Sequence, residues 1–134
     1  KIKFDYRSIE LPNDVIFLSA TFKGKEKNSL EIKKTMNDMI RKKELAQPTK
    51  IKTSGSTFKN PIKQTKQKVW ELIKSSVPKE INYGDAIISE KHANFFVNKK
   101  DAKSSDMKSL INFVKKKVEE KKGIKLELEI VLVE

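Results

Sequence analysis

Between Met107 and Val118 the apolar residues Met107, Leu110, Ile111, Val114 and Val118 recur at helical spacing. Immediately afterwards Ile124, Leu126, Leu128, Ile130 and Leu132 alternate with their neighbours, leaving Lys125, Glu127 and Glu129 on the opposite side. The first pattern places one stripe of a helix on a core, and the second places one face of a strand there. Gly123 stands at the junction, where a left-handed C-terminal cap favours a residue without a Cβ. The period changes from about 3.6 residues to about 2 across that glycine, so a helix followed by a strand is expected. Ser104 or Ser105 is the expected N-cap of that helix.

Upstream, residues 3–9 and 14–23 are aromatic and β-branched, with the turn formers Pro12, Asn13 and Asp14 near the junction, and are expected to be two strands. Val15 and Phe17 lie on one side of the second strand and Ile16, Leu18, Ala20 and Phe22 on the other, as in a central strand covered on both faces. Asn28 and Glu31 resemble a capping box ahead of Leu30, Ile32, Met36, Met39 and Ile40, so a helix is expected to about Leu45, ending before Pro48. Residues 46–61 are rich in Pro, Thr, Ser and Gly and form the best candidate for both a boundary and a site. A short helix over residues 64–75 carries Val69, Leu72 and Ile73 on one side, and residues 86–89 and 94–98 are short strands. From Pro48 onward the expected order is helix, strand, strand, helix, strand, an α+β layer.

The composition removes several classes of chemistry. The chain has no cysteine and a single histidine, His92, so disulfides, thiolate sites, histidine metal centres and Ser/His/Asp triads are not expected, and no metal is assigned. His92 is expected to be a hydrogen-bonding residue of its loop. No apolar run approaches the roughly 20 residues that span a bilayer, and a soluble, cytoplasmic protein without a membrane partner is expected. Thirty Lys and Arg against eighteen Asp and Glu give a formal charge of +12, yet only Arg7 and Arg41 are arginines and the lysines are scattered. Base readers favour the arginine fork and single-strand binders interleave aromatics with cations, so no nucleic-acid partner is expected. The 134 residues allow one domain or one domain plus a fragment. The chain opens on Lys1 without a signal-peptide pattern and reads as a piece of something longer.

Three blocks then stand out in order: GSTFKNP at Gly55–Pro61, SEKHANFFVN at Ser89–Asn98, and LELEI at Leu126–Ile130, with FDYRS at Phe4–Ser8 upstream. Together they resemble UDP-N-acetylenolpyruvoylglucosamine reductase, the MurB flavoenzyme family of bacterial cell-wall synthesis, in its type II branch. The resemblance covers essentially the whole chain. It implies that residues 1–46 are the end of an FAD-binding domain, two strands and a helix, and that residues 47–134 are the substrate-binding domain. It implies FAD and NADPH as cofactors and UDP-N-acetylglucosamine enolpyruvate as the substrate, reduced to UDP-N-acetylmuramate.

The same resemblance assigns roles. Ser56 matches the proton-donating serine, and positioning against a strongly basic carbanion or enol matters more there than a lowered pKa. Arg7 matches the arginine beside the substrate carboxylate, where a guanidinium favours the charge developed on reduction. Glu129 matches the carboxylate near the C-terminus that assists enol formation or orients the substrate. Asn60 and Lys79 match positions linked with the UDP moiety. The glycines at 24, 55, 84 and 123 are isolated, so no glycine-rich phosphate cradle is present, and the FAD-binding region is expected in cis upstream. The family's glycine-rich stretch reads VPKEINYGDA here, with only Gly84 retained. The alternative is a truncated, non-catalytic remnant acting as a basic polyanion-binding module.

Overall fold

The computed structural model describes residues 2–12 and 14–133, so Asn13 of the expected turn lies outside the described residues. The chain divides into two compact units, one up to Arg41 and one from Lys42 onward.

In the first unit, β1 (Lys3–Asp5) and β2 (Ser8–Glu10) form an antiparallel hairpin with Phe4 opposite Ile9. The single strand expected over residues 3–9 is therefore folded back on itself. Tyr6 and Arg7 make the turn, with Arg7 at φ 51° and the Tyr6 N–H donating to Asp5 Oδ1 at 2.7 Å. The central strand expected over residues 14–23 is not formed, and Ile16, Leu18 and Phe22 are 81%, 93% and 90% exposed. A strand persists through ladder hydrogen bonds to a neighbour, and no described segment pairs with this one. Helix α1 (Ser29–Ala46) starts where expected and runs across the division between the units. Asn28 Oδ1 accepts from the Leu30 N–H at 2.9 Å, and the Asn28 carbonyl accepts from Ile32 at 3.0 Å. Its apolar residues Leu30, Met36 and Met39 are exposed.

The second unit is an antiparallel sheet with two helices on one face. Its strands are β3 (Lys52–Ser56), β4 (Asn82–Tyr83), β5 (Ala86–Ile88) and β6 (Phe95–Asn98), in the order β3-β6-β5-β4. The helices are α2 (Val69–Ser76) and α3 (Ser104–Lys122). The expected α+β class holds. Strand β3 falls within the stretch read as boundary, and its KTSGS sequence has no apolar alternation to reveal it. Ala86 pairs with Asn98 and Ile88 with Phe96, on the helix side of the sheet, whereas Ile87 and Val97 point to the other side. Phe96 meets Phe58 edge-on, ring centroids 5.8 Å apart, over Leu72, Ile73, Leu110, Ile111, Val114 and Val118.

Helix α2 begins at Val69 rather than at residue 64. The Pro61 carbonyl accepts from Gln64 and Thr65 in a turn. The Gln64 amide then pairs with Lys125, donating to its carbonyl at 2.9 Å and accepting from its N–H at 3.0 Å. Glu71 Oε2 accepts from the Lys68 N–H at 2.7 Å and so closes the first turn of α2. In α3 the cap position falls on Lys103 rather than on Ser104 or Ser105, because Asp106 Oδ2 reaches back to the Lys103 N–H at 2.9 Å. Gly123 ends α3 at φ 67°, its N–H donating to the Glu119 carbonyl at 2.9 Å.

The last strand is shorter than its alternation predicts. Ile124 and Leu126 are buried and Leu128 packs on the core. Pairing is confined to the bridge between Phe58 and Leu128, with Lys59 N–H to Glu127 O and Glu129 N–H to Thr57 O, both 2.9 Å. At Asn60 the partner chain turns away toward α2, so Val131 and Val133 have no strand beside them among the described residues and are exposed.

Candidate active site

The site begins with an irregularity in β3. Lys52 faces Asn98 and Thr53 faces Val97, but Ser56 rather than Gly55 faces Phe95. One extra residue is thus inserted at Ser54–Gly55, a β-bulge, and Gly55 takes φ 87° to accommodate it. Without the insertion Gly55 would occupy the place opposite Phe95. With it, Ser56 joins Thr53, Phe95 and Val97 on the sheet side away from the helices. The bulge aims the serine.

The chain beyond Ser56 is held from both sides. On one side the Thr57 N–H donates to the Asn94 carbonyl at 2.8 Å. The buried Asn94 side chain pairs with the whole Phe58 peptide, Oδ1 accepting from Phe58 N–H at 3.0 Å and Nδ2 donating to Phe58 O at 2.8 Å. On the other side lies the 127–129 segment, whose Glu129 N–H meets the Thr57 carbonyl. Ser56 and Glu129 therefore stand on neighbouring, hydrogen-bonded segments, although 73 residues separate them in the sequence.

The loop from Ser89 to Phe95 is compact. Ser89 Oγ accepts from Lys91 and His92 N–H at 3.3 and 3.4 Å, and Ser89 N–H donates to Phe95 O at 2.8 Å. His92 Nδ1 accepts from the Asn94 N–H at 3.2 Å, and its ring meets Phe95 edge-on at 4.9 Å. Burial pushes the His92 pKa below its ordinary 6.5, its own backbone hydrogen bond opposes this, and the charge of Lys74 adds to the lowering. An accepting Nδ1 requires the neutral ring protonated on Nε2. The geometry agrees with a hydrogen-bonding residue of the loop.

The other expected site residues are placed differently. Asn60 Oδ1 accepts from the Val69 N–H at 3.0 Å and so holds the start of α2. Lys79 lines a cleft of about 410 Å³ with Ile73, Lys74, Val77, Ile88 and Glu90. Arg7 belongs to the first unit, its guanidinium carbon 6.0 Å from the Tyr6 ring centroid. Gly84, the glycine retained from the family's glycine-rich stretch, lies at φ 53°, and a Cβ there would come 2.7 Å from Asp106 Oδ2. A glycine packed against a carboxylate does not fit a phosphate cradle, and Gly55 serves the bulge. Neither glycine thus offers a phosphate cradle, and among the described residues no group of three metal-ligating side chains occurs.

Residues 47–133 match the family model described as UDP-N-acetylenolpyruvoylglucosamine reductase, C-terminal domain. The chain belongs to this reductase family. UDP-N-acetylenolpyruvoylglucosamine reductase from Pelagibacter ubique is 61% identical over 97% of the chain, which spans 43% of that protein. The Rickettsia bellii reductase is 42% identical over 97% of the chain, spanning 42% of that protein. Among solved structures, the MurB reductase of Thermus caldophilus aligns with TM-score 0.62 at 35% identity, over 78% of this chain and 35% of that one. The chain spans less than half the length of the reductases it matches. Membership in a reductase family does not favour the polyanion-binding alternative, and among the described residues no helix is long and apolar enough to cross a membrane.

Asn94 is a residue of the site that sequence reading alone does not single out. Its place at the head of an apolar run reads as the start of a strand, although asparagine is depleted in strands. A buried side-chain amide beside β6 is the signal that the pattern holds.

Proposed function

We propose that this chain is the substrate-binding, proton-donating part of an NADPH-dependent flavin reductase of peptidoglycan precursor synthesis. The enzyme acts in the bacterial cytoplasm and reduces UDP-N-acetylglucosamine enolpyruvate to UDP-N-acetylmuramate. Residues 1–46 close its FAD-binding domain and residues 47–134 form its substrate-binding domain. The observation that carries the reading is the bulge that aims Ser56 beside the segment bearing Glu129. Bulges of this kind recur next to active sites, where they redirect one side chain.

FAD, once reduced by NADPH, would supply the hydride from a domain that residues 1–46 close and that the region found in the longer relatives and not spanned by this chain completes. Ser56 Oγ–H gives its proton to the enolpyruvyl carbon next to the one that receives hydride, so the double bond becomes a saturated lactyl ether and the hydroxyl is restored from water. Arg7 binds the substrate carboxylate with both arms of its fork and favours the negative charge that spreads into it. Glu129 orients the reacting end of the substrate or assists the enol. Asn60 and Lys79 bind the UDP moiety, the lysine as a point charge on diphosphate.

The test uses the full-length protein that contains this chain. Ser56→Ala is expected to leave flavin reduction by NADPH unchanged in stopped-flow absorbance, while oxidation of the reduced flavin by the enolpyruvyl substrate slows about 100- to 10,000-fold. An unchanged second half-reaction would remove Ser56 from the role of proton donor.

A further inference from the structure

We infer that Asn94 is a positioning residue that sets Ser56 for proton transfer, an inference that rests on the reading above. A strand edge normally receives its hydrogen bonds from another backbone. Pairing resumes after the bulge at Ser56 and Phe95, but β6 begins at Phe95, so beyond Thr57 the continuity fails. Asn94 bridges the gap with a side chain built like a peptide, whose carbonyl and NH₂ match the N–H and C=O of Phe58 at 3.0 and 2.8 Å. Its own backbone carbonyl takes the Thr57 N–H at 2.8 Å. Three hydrogen bonds thus fix the two residues that follow Ser56, and an uncharged side chain with a donor and an acceptor in that spacing on so short a stem is what asparagine supplies near neutral pH.

The clamp reaches the second chemical group as well. Thr57 carries the Glu129 N–H on its carbonyl, and Phe58 bridges to Leu128. Asn94 therefore holds the strip of backbone from which both Ser56 and Glu129 take their places. It is itself held, since its N–H donates to His92 Nδ1 and its side chain is buried. Burial matters because an amide pair shielded from water keeps its geometry, and each bond left unmade there costs more than at the surface.

Positioning and mere support leave different kinetic marks. In the full-length enzyme, Asn94→Leu removes both side-chain bonds at similar size and is expected to slow the second half-reaction about 10- to 100-fold, the loss that follows from a displacement near 1 Å. NADPH reduction of the flavin is expected to stay at the parent rate. Should the leucine variant fail to fold, Asn94→Asp decides. An ionised aspartate opposes the Phe58 carbonyl, whereas a protonated one restores the donor and acceptor pair, and burial raises its pKa. The second half-reaction of Asn94→Asp is thus expected to recover as pH falls, relative to the parent protein measured over the same range. His92 is the titratable group bonded to Asn94 and Lys74 the cation acting on it, and both are present in parent and variant.

A folded Asn94→Leu with a parental second half-reaction overturns the proposal, as does an Asn94→Asp without relative recovery at low pH. Equal slowing of both half-reactions also overturns it, since that is the mark of general structural damage. An inert Ser56→Ala would instead overturn the reading on which the proposal rests. An effective Ser56→Ala beside a parental Asn94→Asp at every pH would sink Asn94 alone.

Discussion

A neutral imidazole holds the loop that holds the site. His92 accepts through Nδ1 from Asn94, so protonating the ring removes an acceptor at the root of the Phe58 clamp. Its pKa lies below 6.5 when folded, chiefly through burial. In the pH range between that depressed value and 6.5 the unfolded chain binds more protons than the folded one, so stability increases with pH there. The His92 contribution is complete above 6.5 and is lost as pH falls from 6.5 toward the folded pKa. Urea midpoints measured between about pH 7.5 and about pH 5.5 are expected to fall in the parent and to fall less in His92→Gln, which has no group titrating there. Equal slopes in the two proteins would show that His92 is not linked to folding. The lone histidine between Lys91 and Ala93 was legible as a structural residue. The roles expected of Arg7 and Asn60 came from the motif alone, and their places in the structure, a turn at positive φ and a bond to the start of α2, depend on partners that spacing does not reveal.

At the level of elements, the bulge in β3 is the feature on which the site geometry turns. A Cβ added at Gly55 would meet nothing within 4 Å, so the cost of a methyl group there is set by the backbone at φ 87° and not by a clash. Gly55→Ala is expected to destabilise the protein by about 1–2 kcal/mol, measured by urea denaturation. A variant as stable as the parent would mean that the bulge tolerates a Cβ and does not depend on glycine. The stripe of α3 and its glycine cap were readable because they are set by local spacing and one backbone angle. Strand β3 was not readable, since an edge strand with a bulge and polar side chains has neither alternation nor burial to show. The opposite error came at residues 14–23 and after Leu128. Periodicity tells which face is apolar, but a strand also needs a neighbour, and those segments lack one among the described residues.

For the molecule as a whole, the buried apolar cluster draws only on residues between Phe58 and Leu126, all within the second unit. Helix packing on the sheet face therefore closes without residues from the first unit. A chain of residues 42–134 is expected to unfold in one cooperative urea transition with a midpoint close to that of the 134-residue chain. A broad, non-cooperative loss of signal would show that the second unit does not stand alone. The α+β class was legible from the run of helical and strand patterns after Pro48, of which α2, β5, β6 and α3 build the layered core. The family was legible from GSTFKNP and SEKHANF, the two blocks that the structure joins through Asn94 and Phe58.

The Gln64 side chain that pairs with Lys125 has a further effect. Lys125 belongs to the same alternate set as Glu127 and Glu129, whose main-chain groups face residues 57–59. The glutamine amide therefore carries on, by a side chain, the pairing that the backbone abandons at the Pro61 turn, and it ties the approach to α2 to the stretch that bears Glu129.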